Sequence, residues 1–584
     1  SNNLVKNKNK QTMAKSRRTF LKQTGVITTG MVMAPAMVYS AKETSERVKN
    51  VLKKLSDIND NDIDDLFERQ IISPEDRWHG GVMDVFELPN AHSTNDFIMK
   101  LGSSYASPYS RYYLSAKLEK PLEMAIQCLL NVQHNDGTID LHSTNFHSTP
   151  DTAFIVNFLS PVYVIIKRLN RPGLKIFVES MESFIKNAGE CFVVGGAHTA
   201  NHRWVISAAL ARVNSFFPSK RYTDRIDVWF SEGIDLDPDG QYTEQSVAAY
   251  SPVCDEMFLT MGRLLNRTDL MDVVRKNLEM TLYYIQPGGE VLTDASGRQD
   301  SAQTGYVNGY YYPYLYFAIK DKNPAFSAVC ELIEREMPEK TLRFLPYLLE
   351  LPIFEEDVPA SSKIPDNYFK RFSHSGLFRI RRGDADISII ENNPTFLSFM
   401  KGSAIMQSIR VGASFFGSRG QFMAEQTEFD GEKIVLSRRK KHGYFQPFPK
   451  DKIPGDGIYE KMPRYGRELS EAQTIDYKIS ITENQGKISM DIEIDGTDYV
   501  PVSIEMSFRP GGELSGVVTD KNTKNSYFLM DGMGQYKVGK DVITFGPGAV
   551  THKWADMRGM LPKQNGNSVY LTGYTPFKHT IELS

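Results

Sequence analysis

The sequence predicts a multidomain α+β protein, in which an N-terminal (α/α) toroid of helical hairpins is followed by a C-terminal antiparallel β-sandwich. Three observations predict this class. Apolar residues recur at three- and four-residue spacing up to about residue 350, prolines 352, 359 and 365 mark a linker, and apolar and polar residues alternate beyond it. A chain of 584 residues should hold two to four domains. We assign residues 1–40 to an export segment, 41–355 to the toroid and 366–584 to the sandwich.

The first segment is predicted to be a targeting signal rather than part of the fold. Ser16-Arg17-Arg18-Thr19-Phe20 is a twin-arginine pattern, and a weakly apolar stretch over residues 25–37 contains Ala34-Pro35-Ala36. That stretch is shorter than the ~20 residues needed to span a bilayer. Met13 fits a start codon, with residues 1–12 upstream of it. We therefore expect a bacterial protein that is periplasmic or otherwise exported; a basic disordered tail is the alternative.

The helical half follows from periodicity and from capping residues. Ser148 offers an N-cap, followed by Pro150 in the first turn. Twelve or thirteen helices joined by short turns, without recognisable repeats, suit a ring of hairpins as well as a solenoid. The clearest apolar periodicity lies at residues 114–132, 154–169, 177–185, 205–213, 257–265 and 273–285.

The second half follows from alternation and from turn signals. Asp495-Gly496, Gly511-Gly512 and Asn565-Gly566 separate the alternating segments, as in antiparallel sheets. The run from Arg438 to Lys441 is interpreted as a solvated hairpin tip, and a contact with a substrate anion is the alternative. Predicted strands lie at residues 376–381, 387–391, 477–482, 487–494 and 503–509.

Composition excludes several kinds of function. Lys and Arg total 68 against 71 Asp and Glu, a net charge of −3, so nucleic acid and membrane are not expected partners. The four cysteines form no C-x-x-C pair, which leaves a disulfide framework, a zinc ribbon and an iron–sulfur site without support. The run Asp235–Gly240 is similar to the start of a calcium loop, but Ser246 stands at its twelfth position. We expect no cofactor and no metal, and the sequence does not support a structural ion.

Residues 195–250 hold the densest group of chemically useful side chains. Asn201 and His202 stand at the head of an apolar-periodic helix, and a turn at Asp239-Gly240 leads through Tyr242 towards Tyr250. If the intervening helices form a hairpin, both polar clusters return to the same end of the ring. An amide, an imidazole and two phenols would then lie within one cleft.

This set of groups suits the β-elimination of a uronate-containing glycan. The substrate carboxylate must be neutralised so that charge can develop next to it. A base then removes the C5 proton, and an acid protonates the departing O4. A tyrosine can do both when a nearby positive group lowers its pKa, whereas a histidine can serve as the base alone.

The segment resembles the heparinase II/III-like polysaccharide lyases, whose toroid carries an Asn-His pair and a later DG-x-(x)-E-x-S…Tyr segment. The matching residues are Asn201-His202 and Asp239-Gly240-Gln241-Tyr242-Thr243-Glu244-Gln245-Ser246…Tyr250. The resemblance implies that Asn201 holds the uronate carboxylate, that His202 is a base or neutraliser, and that Tyr250 is the base and acid. Tyr242 is a second candidate phenol. The partner it implies is an acidic poly- or oligosaccharide.

The sequence departs from the pattern of the family in the β-domain. Those lyases often supply a histidine from an H-x-H stretch in the β-domain, but residues 399–410 contain none. His374, Lys401 and Arg410 are the open candidates for this role.

Seven residues are predicted to bind the substrate. They lie near the two motifs, on a histidine-rich rim and in a tyrosine-rich stretch: Trp204, Glu244, Asn145, His147, Arg298, Tyr306 and Tyr310.

Two other classes of function stay open at this point. A glycoside hydrolase on the same ring would use a carboxylate pair, Asp151 with Asp239 or Glu244, on either side of the glycosidic bond. A non-catalytic glycan-binding protein would bind without turnover. Fold alone does not distinguish the three.

Overall fold

The helical half is built from pairs of helices connected by short turns. The computed structural model describes residues 45–417 and 419–584, so the predicted twin-arginine segment lies outside the described residues. The α-helices, which we number in chain order, are α1 Glu46–Asn61, α2 Ile63–Arg69, α3 Ala91–Ala106, α4 Glu119–Val132, α5 Thr149–Leu169, α6 Lys175–Val194, α7 Ala200–Phe216, α8 Lys220–Phe230, α9 Tyr250–Leu264, α10 Thr268–Thr281, α11 Tyr311–Lys320, α12 Pro324–Glu336 and α13 Leu345–Glu350.

These helices form an inner and an outer layer. Helices α3, α5, α7, α9 and α11 pack side by side as the inner layer, each against its predecessor, and α4, α6, α8, α10 and α12 cover them from outside. Helix α13 returns to contact α1, α3 and α5, which closes the ring. This arrangement is the predicted (α/α) toroid, and closure distinguishes it from a solenoid.

The inner helices are apolar because they are buried by neighbours on several sides. Helix α5 is long and apolar enough to cross a membrane by length and composition, yet most of its residues are buried within the ring. As predicted, Ser148 caps this helix: its hydroxyl accepts a hydrogen bond from the backbone N–H of Asp151, and Pro150 lies in the first turn.

Small hairpins precede three of the inner helices on one rim of the ring. Two turns in the connections that lead into inner helices require glycine: Gly137 and Gly240 have φ of +86° and +99°. A Cβ at Gly137 would lie 2.1 Å from the carbonyl oxygen of Asn187, and at Gly240 2.7 Å from that of Lys276. Each glycine thus lets a rim connection rest on a neighbouring outer helix. The hairpin strands are β1 Val82–Met83, β2 Pro89–Asn90, β3 Ile139–Leu141, β4 Asn145–Ser148, β5 Glu290–Val291 and β6 Gly305–Tyr306.

The second half consists of two large sheets, as predicted. One has the strand order β18-β19-β22-β16-β11-β10-β9-β8-β7, and the other β12-β13-β14-β15-β23-β21-β20-β17. The strands are β7 Asn367–Phe372, β8 Leu377–Arg382, β9 Ala385–Ile390, β10 Leu397–Lys401, β11 Ala404–Ala413, β12 Gln426–Phe429, β13 Lys433–Phe445, β14 Leu469–Asn484, β15 Lys487–Gly496, β16 Pro501–Phe508, β17 Glu513–Ser515, β18 Val518–Thr519, β19 Ser526–Phe528, β20 Gly534–Val538, β21 Asp541–Gly546, β22 Asn567–Tyr574 and β23 Phe577–Leu583.

The two sheets enclose a common apolar core, to which alternate residues of the strands contribute. Pairing is antiparallel throughout the described strands except that β19 runs parallel to β22. The interpretation of Arg438–Lys441 as a hairpin tip is wrong: these residues lie within β13 and pair with residues 474–477 of β14. Helices before strands, in this order, confirm the predicted fold class.

The two halves belong to one compact unit and are joined by polar contacts. Arg509 of the sandwich makes two 2.8 Å hydrogen bonds to the Glu290 carboxylate of the toroid. The Asp239 carboxylate accepts hydrogen bonds from the backbone N–H groups of His374, at 2.7 Å, and Ser375, at 3.0 Å. The connection that carries Glu244 and Tyr250 is therefore fixed against the β-half.

Candidate active site

The predicted site residues gather at the rim where inner helices begin. Asn201 and His202 lie in the first turn of α7, and Tyr250 is the first residue of α9. Arg298 lies in the connection between β5 and β6, which precedes α11. Helices of one layer run in the same direction, so their N-terminal ends share this rim. Each such end carries a partial positive charge, which favours an anionic ligand.

Glu244 holds the N-terminal end of α7 in place. Its Oε1 accepts hydrogen bonds from the backbone N–H of Asn201 at 2.8 Å and from Asn201 Nδ2 at 2.9 Å, and its Oε2 lies 3.0 Å from the same Nδ2. The side chain of Thr199, the residue before this helix, makes no capping bond, so the carboxylate acts as the cap from a distant segment. Asn201 is only 1% exposed, and its Oδ1 has no hydrogen-bond partner among the described residues.

Tyr250 presents a half-buried phenol with two polar neighbours. Its Oη accepts a hydrogen bond of 2.6 Å from Gln299 Nε2. The guanidinium carbon of Arg298 lies 5.2 Å from the centre of its ring, within the range of a cation–π contact. Because Gln299 is the donor in the first contact, the phenolic hydrogen stays available to another acceptor.

Arg298 connects the two halves of the site. Its Nε lies 3.6 Å from Oε2 of Glu244, while its guanidinium carbon faces the Tyr250 ring. Nε makes no hydrogen bond to any described residue, so the guanidinium is not saturated by the protein. A positive group with spare donors, next to a phenol, is what a substrate carboxylate requires.

His202 lies beside His198 and is neutral at physiological pH. The ring centres of the two histidines are 4.6 Å apart, in an edge-to-face arrangement. Burial, the neighbouring His198 and the charge of Arg298 lower the pKa of His202 to about 4. Its Nδ1 is buried and has no partner among the described residues. The neutral imidazole is the form that can accept a proton, although the burial that lowers its pKa also makes it a weaker base than an exposed histidine.

Asp151 organises the polar groups behind His202. Its carboxylate accepts hydrogen bonds from Asn145 Nδ2 at 2.8 Å and from the Ser148 hydroxyl at 2.5 Å, and lies 3.2 Å from His92 Nε2. Burial alone would raise the pKa of Asp151, but the bonds from His92, Ser148 and Asn145 outweigh it and hold the pKa at about 2. The predicted binding residue Asn145 therefore supports Asp151.

His147 occupies an exposed position on the same rim. Its Nδ1 lies 2.7 Å from Asp136 Oδ2, and its ring stacks on that of His134 with centres 3.8 Å apart. Its φ of +46° is unusual for a residue other than glycine, and a backbone hydrogen bond to Asp140 fixes it there. The residue is accessible to a ligand, and its contact with the substrate stays a prediction.

Three predictions are wrong because the side chains are in the core: the substrate contacts of Trp204 and Tyr310, and the role of Tyr242 as a second catalytic phenol. Trp204 and Tyr310 are 0% exposed and Tyr242 is 2% exposed. Trp204 Nε1 donates to Asp235, Tyr310 Oη donates to the carbonyl of Val247, and Tyr242 Oη donates to Asp255. Burial raises the pKa of Tyr242 well above its usual value, so this phenol is not a second base. Tyr306 is half-buried and lies under the ammonium of Lys340.

The β-half candidates are in three different situations. Arg410 is buried in an ion pair with Glu505 of the neighbouring strand β16, so the prediction that it joins the site is wrong. Lys401 ends strand β10. The backbone of His374 is bonded to Asp239, which places this residue beside the connection that carries Glu244.

A polar cavity of about 340 Å³ separates the β5–β6 connection from the sandwich. Gln407 and Ser398 of the β-half line one side of it, and Thr293 and Gln303 line the other. The same connection carries Arg298 and Gln299 towards Tyr250.

Sequence reasoning missed Gln299, His198 and His92. Gln299 lies next to the predicted Arg298, but an amide in a loop has no distinguishing pattern. His92 reaches Asp151 from 59 residues away, and no spacing rule predicts such a contact. Among the described residues, no group of three or more His, Cys, Asp or Glu is arranged to hold a metal ion.

The chemistry of the assembled site is that of proton transfer next to an anion. It combines a neutral imidazole, a phenol with a free hydrogen, and a guanidinium with spare donors. The carboxylates Asp151 and Glu244 are occupied by hydrogen bonds from the protein.

Comparison with known proteins gives the same fold. A scan of protein-family models finds no match to the sequence, and a search of curated proteins finds no similar sequence. Among solved structures, heparinase III matches 95% of this chain and 87% of its own, with a TM-score of 0.54 and 10% identity. The Streptomyces coelicolor A3 chondroitin AC lyase in complex with chondroitin sulphate matches 95% and 80%, with a TM-score of 0.52 and 11% identity.

The toroid and sandwich therefore define the fold of polysaccharide lyases. The fold expected from the resemblance to heparinase II/III-like lyases is confirmed over about 95% of the chain.

Proposed function

We propose that this protein is a polysaccharide lyase that cleaves a uronate-containing glycan by β-elimination. The observation that carries the proposal is the shared environment of His202, Arg298 and Tyr250. Arg298 faces the ring of Tyr250 at 5.2 Å, and its charge contributes to the low pKa of His202. Arg298 thus acts on both the proposed base, His202, and the proposed acid, Tyr250.

In this proposal the guanidinium of Arg298 neutralises the substrate carboxylate. Asn201 is only 1% exposed, and its amide nitrogen contacts both oxygens of Glu244, so the direct contact with the carboxylate that the family resemblance implies is not proposed. Asn201 is a positioning residue that holds Glu244 beside Arg298. Donors placed where negative charge develops are worth on the order of 3 kcal/mol each in the transition state.

The elimination itself needs two proton transfers. The neutral His202 accepts the C5 proton, the electrons of that bond form the C4–C5 double bond, and the C4–O4 bond breaks. Tyr250 gives its phenolic proton to the departing O4, since Gln299 leaves that hydrogen free. The products are a 4,5-unsaturated uronate and a new chain end, and water is not consumed.

The state of the carboxylates argues against the hydrolase alternative. Glu244 is held by three contacts to Asn201, and Asp239 by two backbone N–H groups of the β-half. The pKa of Asp151, at about 2, makes it a poor general acid. A hydrolase needs one carboxyl group that stays protonated until it reacts.

Product analysis tests the proposal. The protein is incubated with a panel of uronate glycans while ultraviolet absorbance is followed, because only elimination creates the conjugated unsaturated uronate. We expect absorbance to rise with wild-type protein on at least one glycan and to stay flat with Tyr250→Phe. Cleavage with saturated products would establish the hydrolase, and binding without cleavage the non-catalytic protein.

We also propose that the protein is exported through its twin-arginine segment. The pattern at Arg17 and Arg18, followed by an apolar stretch, supports this. The double variant Arg17→Lys with Arg18→Lys should accumulate unprocessed in the cytoplasm. Its normal processing and export would contradict the proposal.

A further inference from the structure

One segment of the β-half differs from the rest of the chain in charge. It spans residues 438–467, the end of β13 and the connection to β14, and we call it the basic arm. It holds nine lysines and arginines and three acidic residues, although the whole chain has a net charge of −3. Its basic residues are Arg438, Arg439, Lys440, Lys441, Lys450, Lys452, Lys461, Arg464 and Arg467.

More than half of these cations are not neutralised by the protein. Arg438 and Lys440 pair with Glu425, Arg439 pairs with Asp476, and Lys461 pairs with Asp456. The other five make no ion pair with a carboxylate in the part of the chain that the structure describes: Lys441, Lys450, Lys452, Arg464 and Arg467. Unpaired surface cations of one sign create a local positive potential that attracts anions.

Exposed aromatic rings are interleaved with these charges. Tyr465 is 92% exposed, Tyr459 68% and Tyr444 62%. Arg467 stacks on Phe448 and Tyr459, with its guanidinium carbon 5.6 and 5.2 Å from the ring centres. Single exposed apolar residues are ordinary on a protein surface, but a contiguous exposed group marks a site of interaction.

The arm is held in shape without being covered. His442 packs on Phe416, with ring centres 4.7 Å apart, and Tyr444 packs on the same ring at 5.6 Å. Four prolines restrict its backbone, at positions 447, 449, 454 and 463. A constrained segment loses less conformational entropy when it binds.

We propose that the basic arm binds the acidic polysaccharide at a second place, outside the candidate active site. This inference rests on the proposed function for the nature of the glycan. Uronate chains combine regularly spaced negative charges with the apolar faces of sugar rings. The unpaired cations and the exposed phenols of the arm complement these two features.

A glycan chain fits the arm better than a membrane or a nucleic acid. The excess of positive over negative charge lies in one narrow segment, and the remainder of the chain is net acidic, so a broad anionic surface would also meet repulsion. A single polymer chain can follow the arm alone. The function proposed for the rim already requires such a polymer.

The test compares two variants that each lose four exposed cations. The arm variant carries Lys441→Ala, Lys450→Ala, Lys452→Ala and Arg464→Ala. The control carries Lys521→Ala, Lys524→Ala, Lys537→Ala and Lys540→Ala, four exposed lysines of the same half without a carboxylate partner among the described residues. Both are made in full-length protein with Tyr250→Phe, so that the glycan is not cleaved, and thermal melts confirm folding.

Binding is measured with fluorescent chondroitin sulfate and heparan sulfate chains, and with tetrasaccharides of each. We expect the arm variant to bind long chains about tenfold more weakly, with a shallower dependence on salt. The control should bind them like the parent, and tetrasaccharide binding should be the same in all three proteins. Equal affinity of the arm variant and the control for long chains would overturn the proposal.

Two further outcomes separate this inference from the proposed function. Arm-dependent binding of long chains by a protein whose wild-type form makes no unsaturated product would keep the arm and refute the lyase. Unsaturated product together with arm-independent binding would support the lyase and refute the role of the arm. If the arm variant instead loses binding only to phosphatidylserine vesicles or to poly(U), the arm serves a membrane or a nucleic acid, and the inference fails.

Discussion

Helices α7 and α9 carry polar residues at two levels, one at the rim and one deeper in the ring, and the surroundings of these polar groups differ. At the rim they hold Asn201, His202 and Tyr250, of which His202 and Tyr250 are half-buried. Deeper in the ring, Arg212 of α7 forms an ion pair with Glu350, and Asp255 of α9 accepts a hydrogen bond from Tyr242, although Arg212 Nε and Asp255 Oδ2 have no partner among the described residues. The same two helices therefore present partly exposed polar groups at one level and buried groups, each with a protein partner, at the other.

The difference shows that exposure, rather than residue type, distinguishes a structural polar group from a reactive one. A buried charge or phenol must find a partner inside the protein, because leaving it unpaired is costly. At the rim, the half-buried Tyr250 and Arg298 can meet water or a substrate. Mutations at the two levels should accordingly separate stability from activity.

The largest effect on stability is expected at the Arg212–Glu350 pair. Glu350→Gln removes the charge that balances the buried Arg212 guanidinium, and such a change typically costs about 3–5 kcal/mol. Chemical denaturation would measure the loss of unfolding free energy. Turnover per folded molecule should change little.

A matched double variant sharpens this expectation. Arg212→Met with Glu350→Met removes both charges, so the loss should be much smaller than for Glu350→Gln alone. If the two variants were equally destabilised, the cost would come from packing rather than from an unpaired charge.

A smaller effect, on activity instead of stability, is expected at Glu244. Glu244→Gln keeps the shape of the side chain but loses the charge that orients Asn201 and faces Arg298. Supporting contacts of this kind typically contribute about 10–100-fold, so kcat should fall by that factor. Steady-state kinetics on a cleaved glycan would measure the fall in kcat. The kcat of Glu244→Asp should lie between those of the wild type and Glu244→Gln. Unchanged kcat in Glu244→Gln would remove Glu244 from the account.

The smallest effect concerns the pH dependence of stability at His202. The folded pKa of about 4 lies below the unfolded value of 6.5, so between these values the unfolded chain binds a proton that the folded one does not. Wild-type stability should therefore fall as pH drops from 6.5 to 4, relative to His202→Gln, and the two should run parallel above pH 7.

The size of that fall is limited by solvent. The interval between the two pKa values corresponds to at most ~3 kcal/mol, and partial exposure reduces it to roughly 1–2 kcal/mol. Urea denaturation at a series of pH values would measure it. Parallel curves for the two proteins throughout this range would show that the His202 environment is not desolvated.

The sequence predicts the order of the two halves because each follows from a periodicity. Helical spacing and strand alternation are local and extend over many residues, as at 154–169 and 487–494. The rim hairpins escape prediction because two- to four-residue strands such as Val82–Met83 are too short for a period. The interpretation of Arg438–Lys441 as a hairpin tip is wrong because a run of charges indicates exposure to solvent but does not indicate whether a strand continues.

The candidate site is predictable only in part. Asn201, His202 and Tyr250 are brought to one rim because the motif spans one helical hairpin. Trp204 and Tyr310 are predicted to bind the substrate and Tyr242 to be a second phenol, but all three are buried, because depth in the ring is not encoded in a short motif. Contacts such as Gln299 to Tyr250, across 49 residues, depend on how the ring closes.

Two tyrosines, Tyr250 at the rim and Tyr242 below it, allow the effects on catalysis and on stability to be separated. Tyr250→Phe and Tyr242→Phe each remove one hydroxyl, and turnover to unsaturated product and unfolding free energy are measured for both. We expect Tyr250→Phe to lose about 10²–10⁴-fold in kcat with unchanged stability. Tyr242→Phe, which leaves buried Asp255 without its donor, should lose about 1–3 kcal/mol of stability and keep its turnover per folded molecule. Near-wild-type turnover in Tyr250→Phe, or abolished turnover in a folded Tyr242→Phe, would contradict the account.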